Sequence, residues 1–183
     1  GSSAELADPA KVNADAFAPD LFLSIAPDGK VTILAHRSEM GTGIRTALPR
    51  VLADELEADW SRVVIQQAKG DKRLGDQNTD GSNSIRLFFD TMRTAGATAR
   101  TMLERAAAQK WNVPAAECKA QLGFIVHAKS GKKAGFGELA AAADPQTRTY
   151  AARVSVVAPG VAIEKRREGA HGDVDAHVAD DRA

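Results

Sequence analysis

Two short segments carry residue types able to grip an anion. Glu39-Met40-Gly41-Thr42-Gly43 falls between an expected strand and an expected helix. At such a junction the free backbone N–H groups of the helix start face an anionic ligand, and glycines let that ligand come close. Asn78-Thr79-Asp80-Gly81-Ser82-Asn83-Ser84 repeats the pattern ahead of a second, longer helix. Neither is a nucleotide P-loop or a dinucleotide fingerprint, since G-x-x-x-x-G-K and G-x-G-x-x-G are absent from the sequence. A tight turn accounts for the first segment as well. Helix capping by Asp80, Ser82 or Asn83 accounts for the second. Taken jointly, two glycine-bearing corners offering N–H and hydroxyl donors suit a pyrophosphate or a pterin edge, provided they meet in space.

The other candidates are weaker. Glu39 and Glu55 are carboxylates with no paired acid, histidine or metal-ligand spacing around them, so structural roles are expected. His36 reads as a half-exposed strand residue, and His127 carries no functional assignment. His171 and His177 lie near several aspartates in a polar stretch without apolar anchors, which favours a solvated tail over a metal site. The single cysteine, Cys118, excludes an intrachain disulfide, a four-thiolate zinc site and a self-contained iron–sulfur cluster. It is expected to be a small buried side chain.

Regular elements must hold the two corners. Leu21–Ile25 and Lys30–Ala35 are β-rich runs joined by Ala26-Pro27-Asp28-Gly29, which predicts a hairpin. Ile44, Leu48, Val51, Leu52 and Leu56 step at helical spacing, with Pro49 in the early part, and Asp59-Trp60-Ser61 closes that helix. Val63-Val64-Ile65 is a short strand entering a polar loop, Lys69 to Asp80, long enough to suggest a function. Ile85, Phe88, Phe89, Met92, Ala95, Gly96, Ala99, Met102, Leu103 and Ala106 then mark a long helix with one buried face, stopped by Asn112-Val113-Pro114. Its small residues Ala95, Gly96 and Ala99 would allow a close neighbour. Leu122 to Val126 reads as a strand, Lys129 to Lys133 as a turn, and Gly137 to Ala140 as the opening of a short helix. The order β-β-α-β-α-β-α with an opening hairpin predicts a mixed-sheet α+β domain over residues 20–144. Residues 1–19 read as an extended lead-in, and 145–183 as a poorly anchored tail in which 154–157 and 161–163 are candidate edge strands.

Composition bounds the partners. In 183 residues, 24 Lys+Arg balance 24 Asp+Glu, which gives none of the basic excess that a nucleic-acid backbone requires. No apolar run reaches the roughly 18 to 20 residues of a membrane span. Gly1-Ser2-Ser3 resembles the remnant of a cleaved tag, so a leader ahead of it is not legible.

Several stretches together resemble one family. They are Phe17-Ala18-Pro19 with Leu21–Ile25, Asp28–Thr32, Glu39-Met40-Gly41-x-Gly43, Leu52–Leu56, Asp80–Arg86 and Arg93–Arg100. In order and spacing, from about Phe17 to Ala143, they resemble the amino-terminal part of the molybdenum-binding large (beta) subunit of isoquinoline 1-oxidoreductase-like enzymes, in the xanthine dehydrogenase and aldehyde oxidase family. The resemblance implies hydroxylation of an aldehyde or an electron-poor N-heterocycle with oxygen from water. It implies a molybdopterin cofactor, in some members the cytosine dinucleotide form, and two [2Fe–2S] clusters on a separate small subunit. It assigns Met40, Gly41, Thr42, Gly43, Gly81, Ser82 and Ser84 to the cofactor lining.

Thr42 stands where the family usually has Gln, keeping a donor but losing reach. Asp80 stands where Gly is usual, and its carboxylate would repel phosphates by about 1 kcal/mol unless turned into a cap. The general-base Glu of the family lies near the carboxyl end of far longer subunits and has no counterpart here, so no catalytic residue or metal ligand is assigned. The isolated chain is expected to be inactive and cofactor-free, and beyond Pro145 no family pattern is legible. Expected partners are the remaining large-subunit domains and the iron–sulfur small subunit, with an exposed apolar patch or a homo-oligomer contact where they are missing. A periplasmic location follows by resemblance. The alternative is a stand-alone, non-catalytic binding or structural module that keeps the scaffold without the cofactor.

Overall fold

A computed structural model describes residues 18–142. The expectations for the lead-in up to residue 17, for the tail after 142 and for His171 and His177 lie outside the described residues.

The hairpin forms as expected from β1 (Leu23–Ile25) and β2 (Val31–Ala35), in register Leu23↔Ile33 and Ile25↔Val31. Gly29 closes its turn with φ +83°, a left-handed position that glycine adopts without strain. Parallel pairing of β2 with β3 (Val63–Gln67) needs a crossover, and α1 (Ile44–Leu56) supplies it. Leu48, Leu52 and Leu56 on α1 are buried with Leu23, Ile25, Val31 and Ile33 of the sheet. A smaller cluster of Leu34, Ala68 and Leu74 covers the end of β2. It anchors the long 69–80 loop, in which Lys72–Leu74 forms a 3-10 turn.

Helix α2 (Asn83–Trp111) packs on α1 and then on a second sheet of three antiparallel strands, β4 (Cys118–Gln121), β5 (Phe124–His127) and β6 (Lys132–Gly135). Helix α3 (Phe136–Ala142) closes the described chain. The architecture is the mixed-sheet α+β one read from the sequence, but with two sheets and five rather than three strands after β1 among the described residues.

Two readings need correction here. Leu122-Gly123 is not strand interior but a two-residue hairpin turn, with φ 46° and +81°. That is the primed geometry matching the strand twist. Lys132-Lys133, taken as turn, lie in β6, whose outward charges suit an edge strand, and Lys133 Nζ sits 3.8 Å from the Phe124 ring centroid. The buried face of α2 also starts later than expected. Met92 onward is buried, whereas in the first two turns the strand end covers only Ser84 and Phe88, and Ile85 and Phe89 are 42% and 40% exposed. Cys118 is fully buried, and burial raises its thiol pKa.

Candidate functional site

The first corner leaves β2 at His36 and enters α1 at Ile44. Gly41 (φ +89°) and Gly43 (φ +80°) hold left-handed conformations, and a Cβ at either would meet nothing within 4 Å. The glycines are therefore required by the backbone path, and they face open space. The donors here are not idle. Glu39 Oε1 accepts from the Gly41 N–H (2.6 Å) and the Gly43 N–H (3.1 Å), while Oε2 accepts from the Arg45 N–H (2.9 Å). These bonds, the Arg45 N–H first, hold the Glu39 carboxyl below the usual carboxylate range. The anion seat at the start of α1 is thus filled by the chain's own carboxylate, which is the structural role expected of Glu39. Met40 (68% exposed) and Thr42 extend outward from this loop.

The second corner precedes α2. Gly81 has φ +49°, and Ser82, the residue before the helix, sits at φ 58° with no side-chain hydrogen bond into the first turn. The capping reading is therefore corrected: Asp80 contributes its backbone carbonyl to the Asn83 N–H (2.9 Å), and Asn83 Oδ1 accepts from Arg86 Nη2 (2.6 Å). The first turn of α2 contains no acidic residue. Its first-turn N–H groups carry no side-chain cap, so this corner is more open to an anionic group than the first, opposed by the Asp80 carboxylate two residues before Ser82. Gly81 and Ser82 are exposed, whereas Ser84 is buried and accepts from Arg37 Nε at 3.0 Å.

The corners are stitched together. Thr79 Oγ1 donates to the Ser38 carbonyl (2.6 Å), and the Ser38 N–H and hydroxyl both donate to the Gln77 carbonyl (2.9 and 3.0 Å). Gln77 Nε2 donates to the carbonyls of His36 and Lys69 (3.0 Å each), and Gln67 Nε2 to those of Ala35 and Arg37 (2.9 and 3.2 Å). These two amides and Arg37 are organising residues that the sequence did not single out, because an isolated Gln or Arg at a strand end or in a loop carries no periodic or motif signal. A solvent-open hollow of about 280 Å³, lined by Val51, Asp54, Glu55, Phe89 and Arg93, shares no residue with either corner.

His36 is the clearest departure from expectation. It is 1% exposed rather than half-exposed, lies between the rings of Phe22 (5.0 Å) and Phe88 (4.5 Å), and has no hydrogen-bond partner at either ring nitrogen. Burial, then the neighbouring Arg37 charge, pushes its pKa down from 6.5 to about 4. Asp20 is the opposite case. Its Oδ2 is buried without a partner, and burial raises the pKa from 3.8 to about 6 against the Phe22 N–H bond (2.7 Å).

The signs oppose. Between about pH 4 and 6.5 the unfolded chain holds a proton on His36 that the folded one lacks, so acidification destabilises. Between 3.8 and about 6 the folded chain holds a proton on Asp20 that the unfolded one lacks, so raising the pH destabilises. Relative to the parent, urea midpoints are expected to fall with rising pH from 4 to 6 in His36→Phe and to rise in Asp20→Asn. These changes come on top of the rise that the carboxylates held below their usual range, Glu39, Asp59, Asp71, Asp76 and Glu117, give all three proteins. Parallel profiles in all three proteins would contradict the assignment.

Among the described residues no group of three or more His, Cys, Asp or Glu is placed to hold a metal, and no helix is long and apolar enough to cross a membrane. The chain is 40% identical over 133 residues to the isoquinoline 1-oxidoreductase subunit beta of Brevundimonas diminuta, covering 69% of this chain and 17% of that protein. It is 38% identical over 130 residues to the membrane-bound aldehyde dehydrogenase [pyrroloquinoline-quinone] of Gluconacetobacter polyoxogenes, covering 71% and 17%. It therefore spans about a sixth of the length of these curated relatives. Among solved structures, quinoline 2-oxidoreductase from Pseudomonas putida 86 superposes with a TM-score of 0.55 at 23% identity over 75% of this chain and 17% of that one. The Cu,Mo-CO dehydrogenase does so with 0.52 at 19% identity over 64% and 15%. These likenesses establish the fold. The molybdopterin cofactor-binding domain family matches residues 8–177, past Pro145, where no family motif was legible. That span settles the family: the chain belongs to the molybdopterin cofactor-binding domain family.

Proposed function

We propose that this chain contributes part of the molybdopterin cradle of a molybdenum hydroxylase acting on an aldehyde or an N-heterocycle, and that it is not catalytically complete alone. The observation that carries this reading is the joining of the two corners, with Thr79 Oγ1 bonded to the Ser38 carbonyl (2.6 Å) and Ser84 Oγ to Arg37 Nε (3.0 Å). The loop of Met40, Gly41, Thr42 and Gly43 would line one side of the cofactor and Gly81 and Ser82 the other, with the buried Ser84 behind them fixing the start of α2 through its bond to Arg37. The α2 N-terminus would face the phosphates, in the cytosine dinucleotide form if that is the one bound. Bound there, the cofactor would supply the molybdenum centre for oxidative hydroxylation. This chain's residues would bind and orient it, while electrons leave through [2Fe–2S] clusters on a small subunit.

The apolar residues exposed around the second corner, Ile85 (42%), Leu87 (54%) and Phe89 (40%), support docking of the remaining large-subunit domains. A periplasmic site of action belongs to the same reading. The stand-alone module is favoured by one observation, the Glu39 carboxylate already seated on the first corner's N–H groups.

Co-purification with the neighbouring subunits, followed by assay of molybdenum and released pterin, separates the two. The cradle reading expects both in the complex. Glu39→Ala should then lower pterin content about tenfold, the equivalent of about 1.4 kcal/mol, as the loop loses the anion that shapes it. Absence of molybdenum and pterin from a stable complex would favour the module instead.

A further inference from the structure

We infer that Arg37 is a positioning residue that locks the two glycine corners to one another, so that neither can move alone. The inference rests on the cradle reading only for its functional meaning. Arg37 is 1% exposed at the end of β2, immediately before the first corner. From there its guanidinium reaches across 47 residues to donate Nε to Ser84 Oγ (3.0 Å), in the first turn of α2. Nη1 donates to the Asp76 carbonyl and lies 3.2 Å from Asp76 Oδ2. The plane lies 5.0 Å from the Phe88 ring centroid, also on α2. One planar fork therefore touches the strand end, the long loop and the helix start at fixed angles, which an ammonium with its single nitrogen cannot do.

Stability alone does not account for the residue. Nη2 is buried with no partner, and a buried guanidinium left partly unsatisfied is unfavourable compared with an apolar side chain of similar size. What the fork secures is geometry. Ser84, one of the cofactor-lining candidates, has its hydroxyl turned inward to Arg37, so its role is to hold the helix start in place beside the first corner.

The test is amide hydrogen exchange on the full chain, comparing the parent with Arg37→Lys and Arg37→Met. Both variants are expected to raise exchange about tenfold or more in segments 38–43 and 77–84 together, while Phe124–His127 in the second sheet stays at parent level. Loosening of one corner without the other would overturn the inference, as would parent-like exchange in Arg37→Lys. If Arg37→Met does not fold, Ser84→Ala decides: it removes the Nε bond together with the longer contact of Ser84 Oγ to Thr79 Oγ1 (3.4 Å), and unchanged exchange at 38–43 would refute the coupling. In the co-purified complex Arg37→Lys should also retain less pterin than the parent. A parent complex without pterin would defeat the cradle reading but leave the exchange result, and hence the coupling, to stand or fall by itself.

Discussion

Gly96→Ala is expected to destabilise the fold by about 2 kcal/mol or more, although alanine is the better helix former by about 1 kcal/mol. Two opposed effects meet at this position, and geometry decides between them. A Cβ on Gly96 would lie 2.5 Å from the Leu52 carbonyl oxygen and 3.1 Å from both Glu55 Cβ and the Leu56 nitrogen. Two of these three atoms are α1 backbone and cannot rotate away, so the helices must separate. Separation would loosen the packing of Leu52, Leu56, Met92 and Ala99, all buried at this crossing. It would also stretch the pairing of Glu55 with Arg93 (3.2 Å) and Arg100 (3.1 Å), together with the bond from Arg100 Nη1 to the Glu55 carbonyl (2.7 Å). Urea unfolding measures the difference. A stabilised Gly96→Ala would mean that the helices are not in contact where the Ala95-Gly96-Ala99 stretch brings them.

That stretch was legible from sequence because small residues at helical spacing have one plain physical meaning, close approach. The hairpin was legible because Pro-Asp-Gly presets its own turn, and α1 and α2 because apolar residues at spacings of three and four must share a face. The second sheet was legible only in part. Leu122-Gly123 lacks the Asn-Gly or Asp-Gly signal of a primed turn, and its leucine continues an apolar run, so strand and turn merged. Lys132-Lys133 imitates a turn because an edge strand with one buried residue, Ala134, has almost no alternation to show. Of the candidate site, the glycines were visible because φ near +80° at Gly41 and Gly43 admits little else. Their juxtaposition was not visible. It depends on Arg37, Gln67 and Gln77, whose side chains act over 30 to 47 residues of sequence. His36 was misplaced for a related reason. An imidazole closing a strand normally reaches water, and here two phenyl rings from distant elements enclose it.

Gly137→Ala is expected to cost more than Gly96→Ala, about 3 kcal/mol or more, against the same propensity gain of about 1 kcal/mol. A Cβ there would lie 2.2 Å from the Pro27 carbonyl oxygen, 2.5 Å from the Gly29 nitrogen and 2.7 Å from the Pro27 carbonyl carbon. All three atoms are backbone of the β1–β2 turn, and that turn has little freedom. The Asp28 carboxylate is bonded to the Lys30 N–H (2.9 Å), Gly29 is held at φ +83°, and the Arg62 side chain lies over it, donating to the Asp28 carbonyl. The start of α3 must therefore lift off the hairpin, exposing Phe136 and Leu139, which are 1% and 0% exposed. The damage should stay on that side of the molecule. None of the hydrogen bonds joining Ser38, Gln77 and Thr79, or Arg37 to Ser84, involves the Pro27–Gly29 turn or α3. Exchange in 38–43 and 77–84 should rise in Gly137→Ala only as far as global unfolding carries it, and remain below that of Arg37→Met at equal stability. Early loosening of the corners in Gly137→Ala would show that the hairpin, rather than Arg37, sets their spacing.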